Sequence, residues 1–237
     1  MPVKAHPLDG AFERVARAEK HVADLKARIR KAETNLSLVK FKRKGGRTDF
    51  VLPKNFAPFR RPALLSILVG EVIYNLRAAL DYLVYELAFL GSGQTQDMTQ
   101  FPIERRKKDF MRYENGPGLG CGRLKGVHPR HIALIKTVQP CYGCQWTGTL
   151  NTISNSDKHK LLTVLFGSAQ QKTVISFDSS KQYPPNCPTD RNAPKSVHVQ
   201  LPALRVTFAD GALITDTLDE LKVRVAETLR IFKPEFK

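Results

Sequence analysis

Two apolar patterns of helical period run through the first 90 residues. Val15, Ala18, Val22, Leu25, Ile29, Ala32, Leu36 and Val39 recur at alternating intervals of three and four. That is the heptad spacing of a narrow helical seam, and it predicts a long helix over residues 8–40. A second helix is predicted from Pro62 to Leu90. Pro62 suits the first helical position, where a missing N–H costs nothing, and Gly91 is placed to end the helix. At about 100° per residue, Leu65, Val69, Val72, Ile73, Leu76, Leu80, Leu83 and Leu87 share one arc. The seam fits this arc as an antiparallel helical hairpin. A second copy of the chain, giving a homodimer, is the alternative partner for the seam.

The other arc of the second helix carries Glu71, Tyr74, Asn75, Arg77, Asp81, Tyr82, Tyr85 and Glu86. Three tyrosines, no lysine, and an Arg77–Asp81 pair at i, i+4 do not read as a solvated face. Tyrosines bury their rings and seek a partner for each hydroxyl, so this side is expected to face a second element or a pocket.

Farther along, Pro129 opens a helix to about Val138, and a short helix ends near Glu114. Residues 115–126 are rich in glycine and read as an irregular flap over the tyrosine-bearing face. Asn151, Asn155, Asp157, Lys158 and His159 form a polar cluster that reads as a turn leading into a buried strand, Leu161–Phe166. Residues 164–167 with 173–177, and 197–201 with 204–208, read as short strands. An irregular excursion over 181–195 separates them. Thr217-Leu-Asp-Glu220 has the form of a capping box, opening a last helix with Leu218, Leu221, Val225, Leu229 and Phe232 on one face. The expected plan is α+β: a helical core over residues 1–160, then a small antiparallel sheet and a closing helix over 161–237, joined in one unit.

Charge changes the picture. The chain of 237 residues holds 38 Lys+Arg against 22 Asp+Glu, a net charge of +16. Residues 1–61 carry sixteen basic and six acidic side chains, and residues 100–136 carry nine and three. Such a surface favours polyanions through counterion release. The tip Lys40, Lys42, Arg43, Lys44 and Arg47 surrounds Gly45-Gly46, the signature of a hairpin turn. Phe41 and Phe50 are interleaved with it, as in sites that hold a phosphate backbone and stack a base. Arg105, Arg106, Lys107 and Lys108 form a second cluster. The partner these clusters suggest is nucleic acid, RNA first. The early residues carry no signal-peptide pattern, and no apolar run reaches about 18 residues without a charge or strong polar group. A cytoplasmic protein without a membrane span is therefore expected.

Candidate chemistry is sparse. Cys141 and Cys144 have the spacing of two zinc thiolates. A second pair would have to come from Cys121, Cys187, His128 or His131, and no second Cys-x-x-Cys exists. No cofactor is expected. Asp157 is close enough in sequence to orient the His159 imidazole, as a general base requires. The polar arc of the second helix is expected to face residues 155–159, joining Arg77, Asp81, Tyr82, Asp157 and His159 in one site.

Gly70-Glu-Val-Ile-Tyr-Asn-Leu-Arg-Ala-Ala-Leu-Asp-Tyr-Leu83, Phe101-Pro-Ile103, Gln139-Pro140 and Asn155-Ser-Asp-Lys-His159 resemble the ordered landmarks of a widespread family of uncharacterised bacterial proteins. In many of its members the position of Tyr82 looks to be histidine. The resulting Arg-x4-His is similar to the signature of HEPN-type helical ribonucleases. That resemblance implies a metal-independent, usually dimeric endoribonuclease. This chain keeps Arg77 and has tyrosine at position 82. Two functions follow as expectations. One is a nucleic-acid-binding or assembly protein in which the polar groups form a structural clasp. The other is a ribonuclease in which Arg77 stabilises charge on phosphate, His159 acts as base, and Lys158 contacts phosphate.

Overall fold

The computed structural model describes residues 6–36, 40–44, 47–51, 62–114, 120–159, 165–176 and 196–236. For the paired strands up to residue 205, and for residues 33–36, 62 and 157–159, the backbone alone is described. The Gly45-Gly46 tip, residues 115–119, the stretch 161–164, the 181–195 excursion and Cys187 lie outside the described residues.

Two long helices form the spine, α1 (Asp9–Leu36) and α2 (Pro62–Ser92). The heptad seam of α1 lies on the apolar arc of α2: Val22, Leu25, Leu76, Leu80 and Leu83 are all buried. Antiparallel packing is visible in the cross-contacts. Gly10, at the start of α1, faces Tyr82, and His21 Nδ1 lies 3.2 Å from the carboxylate of Glu71, about three turns back along α2. Among the described residues, the seam from Val15 to Ala32 is buried within the chain. α2 is long and apolar enough to cross a membrane by length and composition, but 67% of its most apolar window is buried inside the protein.

Against this pair lie α3 (Lys107–Glu114), α4 (Pro129–Thr137), α5 (Gln145–His159) and α6 (Ile214–Phe232). α4 starts as predicted, with Pro129 in its first turn and the His128 ring accepting from the Arg130 N–H. α6 buries Leu218, Leu221, Val225, Leu229 and Phe232, packing on both α1 and α2. Lys222 reaches Glu19 at 3.2 Å, and Lys26 pairs with Asp219. α6 begins before the expected capping box. Thr217 Oγ1 donates back to the Leu213 carbonyl inside the first turn instead of capping the N-terminus.

The α+β expectation is corrected: the protein is helical. Among the described residues the strands form no sheet layer, only two separate two-stranded ribbons. β1 (Lys40–Lys44) pairs with β2 (Arg47–Val51), and β3 (Leu165–Ser176) with β4 (Ser196–Thr207). Four short strands were expected in the C-terminal third, and two long ones are found. Pairing runs unbroken from Leu165↔Thr207 to Ser176↔Ser196, through Gln170 and Pro202, where the apolar alternation lapses. A two-stranded ribbon has too little apolar face to make a core of its own. Its base is tied in through buried Val206 and, just past the strand, Phe208.

Candidate functional site

The polar arc of α2 is organised around one residue of the following loop, Phe101. Arg77 Nη2 donates to the Phe101 carbonyl, and the Phe101 N–H donates to Asp81 Oδ1 at 2.9 Å. The same Asp81 oxygen lies 3.5 Å from Arg77 Nη2. An i, i+4 acid–base pair on a helix thus grips both polar groups of a single residue, whose ring is fully buried. The loop is held farther along by Gln139, which is also fully buried. Its Oε1 accepts from the Glu104 N–H at 3.0 Å, while its Nε2 donates to the Ile135 carbonyl at 3.2 Å. The Glu104 carbonyl accepts from Cys141 N at 3.3 Å, and Gln100 N donates to the Arg123 carbonyl at 3.1 Å. Phe101-Pro-Ile103 is therefore pinned from both sides, between α2 and the 3-10 turn that follows α4.

Beside the clasp lies a pocket of about 230 Å3 lined by Ile73, Tyr74, Arg77, Ala78, Asp81, Tyr82, Gln100 and Ser154. Ser154 comes from α5 and shares this pocket with the arc, but Tyr74, Tyr82 and Tyr85 are exposed and not covered as expected. Arg77 Nη1 is buried here without a hydrogen-bond partner. Burial, opposed by Asp81, pulls the Arg77 guanidinium below its ordinary value. On the α1 side, Arg14 sits over the Tyr74 and Tyr82 rings, 5.9 and 5.6 Å from their centres, and its Nη1 reaches Asn75 Oδ1 at 3.4 Å.

The expected turn at residues 155–159 is the end of α5. Asn155 is exposed, and Asp157, Lys158 and His159 occupy its last turn, where only the backbone is described. The acceptors described for Arg77 are Asp81 and the Phe101 carbonyl. Residues 115–119 of the flap expected over the tyrosines lie outside the described residues. Its described part places Gly126 against Gly91 at the end of α2, and Gly122 beside the Tyr113 ring.

A larger groove of about 770 Å3 separates α5 from the turn before α6, with Arg105, Thr152, Phe208, Asp210 and Glu220 among its walls. It draws on one member of the second basic cluster: Arg105 donates to Thr152 Oγ1 at 2.7 Å. The rest of that cluster is partly neutralised. Arg106 bonds Asp109 at 2.6 Å, which holds the Asp109 carboxyl below its usual range, and Lys107 lies over the Tyr142 ring. Lys108 is exposed. Cys141 and Cys144 are half-buried free thiols whose pKa values burial pushes up, and no group of three metal-ligating side chains occurs among the described residues.

In the first hairpin, pairing of Lys44 with Arg47 leaves Gly45-Gly46 as a two-residue connection. Alternation along paired strands then assigns positions 40, 42, 44 and 47 to one side of the ribbon. Phe41 stands directly opposite Phe50 on the other. Of the residues that shape the site, Arg14, Gln100, Gln139 and Ser154 were not singled out as site residues from the sequence. Gln139 alone left a signal, as part of the Gln139-Pro140 landmark. Comparisons with protein-family models, with curated proteins and with solved structures find no match.

Proposed function

We propose that this is a nucleic-acid-binding protein, with single-stranded RNA as the ligand, that grips its ligand through the β1–β2 hairpin. The observation that carries the reading is the hairpin itself. Five basic residues and one acidic residue fall within positions 40–51, and the register gathers Lys40, Lys42, Lys44 and Arg47 at positions of one side while pairing Phe41 with Phe50. Cations that track phosphates and aromatic rings that stack bases are the two parts of a sequence-tolerant single-strand site, here at positions on the two sides of one narrow ribbon, with Arg43 on the side of the rings. The Arg77–Asp81 pair serves as a clasp within the fold: both side chains end on the Phe101 backbone. Titrating a fluorescent single-stranded RNA with the full chain at rising salt tests the reading, with Lys42, Arg43 and Lys44 replaced together by alanine as the comparison. Absence of binding at low salt would remove it.

A ribonuclease that uses Arg77 and His159 is the second reading. It draws on the unpartnered Arg77 Nη1 beside an open pocket, a donor free to meet a phosphate oxygen. Metal-free cleavage of RNA that disappears in His159→Ala, with unchanged melting temperature, would favour it over a purely structural clasp.

A further inference from the structure

Arg77 uses only part of its guanidinium in the clasp. Nη2 serves the Phe101 carbonyl and lies 3.5 Å from Asp81. Nη1 is buried without a hydrogen-bond partner, on a residue only 9% exposed. A buried charged donor that lacks an acceptor costs free energy, so such groups are rare in folded proteins. Here the orphaned donor belongs to a wall of the 230 Å3 pocket.

Charge, size and lining together define what would complete that pocket. Arg14 lies over the Tyr74 and Tyr82 rings at its rim. Arg123 accepts the Gln100 N–H through its carbonyl and lies 3.6 Å from Glu104 through its side chain. Arg14, Arg77 and Arg123 are thus set against Asp81 and Glu104, three cations against two carboxylates. One negative charge balances the set, whereas a dianion would leave an uncompensated charge in a partly closed site. At 230 Å3 the pocket falls below the ~300 Å3 where sites for drug-sized ligands begin. It holds a compact group and not a nucleotide. Ile73, Ala78 and the two tyrosine rings give it apolar surface, and Gln100 and Ser154 add an amide and a hydroxyl.

We propose that this pocket binds a small monocarboxylate with an apolar body: the carboxylate accepts from Arg77 Nη1, and the body lies against Ile73, Ala78 and the tyrosine rings. The inference does not rest on RNA binding by the β1–β2 hairpin, and it gives Arg77 a ligand other than an RNA phosphate. A hydrogen bond from guanidinium to carboxylate is about twice as strong as one between neutral groups. Burial pulls the Arg77 guanidinium below its ordinary value, opposed by Asp81 and reinforced by Arg123; an anion at Nη1 offsets that loss. Tyr74 and Tyr82 are 63 and 42% exposed, so both can turn aside to admit the ligand while the clasp stays closed.

Benzoate, a rigid monocarboxylate with a flat apolar body, is the probe. Titrated into the full chain and followed by NMR, it should saturate with a Kd in the millimolar range or below, as fragments of its size do. Benzamide keeps the shape and loses the charge, and should bind about ten-fold more weakly or worse. In crystals grown with benzoate, a carboxylate oxygen should lie about 2.8 Å from Arg77 Nη1. Ala78→Leu fills the pocket without touching the clasp, and Gln100→Glu supplies a carboxylate from the chain itself. Each should weaken benzoate binding by about ten-fold or more with the circular-dichroism spectrum unchanged. Replacing Lys42, Arg43 and Lys44 with alanine should leave benzoate binding as it is, whatever happens to RNA binding. Absence of saturable binding at about 10 mM would overturn the proposal, as would equal affinity for benzamide, undiminished binding in either pocket variant, or crystals with water alone beside Nη1. Displacement of benzoate by an equal concentration of inorganic phosphate or of a short single-stranded RNA would also overturn it, and would assign Arg77 to phosphate.

Discussion

Arg77 and Asp81 close on the two backbone polar groups of one residue: the arginine donates to the Phe101 carbonyl and the aspartate accepts the Phe101 N–H. An acid–base pair one helical turn apart thus completes the backbone hydrogen bonding of a loop that has no regular structure to do it. Buried backbone groups must be paired somewhere, and here the partner is a helix surface.

Breaking the clasp should therefore destabilise the fold more than removing an exposed ion pair would. Arg77→Met leaves the Phe101 carbonyl unpaired beside a carboxylate that has lost its cation, and should cost about 2–4 kcal/mol. Asp81→Ala leaves an N–H unpaired and Arg77 without its carboxylate, in a somewhat more open position, and should cost about 1–3 kcal/mol. Urea unfolding of the two single variants and the double variant checks this. Additive losses would mean that the two residues do not act as a unit on Phe101.

Gln139 gives an independent test of the same loop. Its amide bridges Glu104 N–H and the Ile135 carbonyl from a fully buried position. Gln139→Leu keeps the volume and removes both bonds, for an expected loss of about 1–3 kcal/mol. Because Phe101 is pinned from α2 and Glu104 from the turn that follows α4, its effect combined with Arg77→Met should exceed either alone.

Much of the frame was legible because its signals are local. The heptad of α1, the apolar arc of α2 and Pro129 at the start of α4 each fix an element without reference to the rest of the chain. The landmark segments around Arg77, Phe101 and Gln139 do converge on one loop. What was not legible depends on partners. Arg77 bonds a backbone carbonyl, and since every residue carries one, nothing in the sequence marks Phe101 as the acceptor. Asn155, Ser156 and Asp157 are turn formers by their own side chains, yet they continue α5, whose Leu150 and Ile153 are buried in the core. The missing sheet has the same origin. Alternation marks β3 and β4 as strands, but whether a third strand joins them is a tertiary question, and no third strand is found among the described residues.

His131 should make stability depend on pH. The ring is almost fully buried, with Nε2 3.0 Å from Glu235 and Nδ1 unpartnered. Arg130 and His128 are its other charged or titratable neighbours, and Phe232 packs on its edge. Burial is the largest influence and lowers its pKa, against the opposing pull of Glu235. The folded state then binds fewer protons than the unfolded chain, whose histidine titrates near 6.5. Stability from this group is complete above that value and is lost as pH falls below it, through the folded pKa. Urea unfolding at several values between about pH 7.5 and 5 should show the wild-type chain losing stability on acidification, and His131→Leu losing less. Equal slopes would show that His131 is not the group responsible.

The hairpin makes a quantitative claim about salt. If Lys42, Arg43 and Lys44 each neutralise a phosphate of single-stranded RNA, replacing all three with alanine should lower the slope of log affinity against log salt by about 2, at roughly 0.7 per contact. The same exchange at Arg106, Lys107 and Lys108 should change the slope less, because Arg106 is already bonded to Asp109 and Lys107 is drawn over Tyr142. Phe41→Ala should weaken binding through lost stacking, by about 1–3 kcal/mol, and leave the slope unaltered, since a ring displaces no counterion. The three outcomes separate the two components of the hairpin. A slope that follows Phe41, or that ignores Lys42, Arg43 and Lys44 while following the Arg106 cluster, would move the RNA contact from the β1–β2 ribbon to α3.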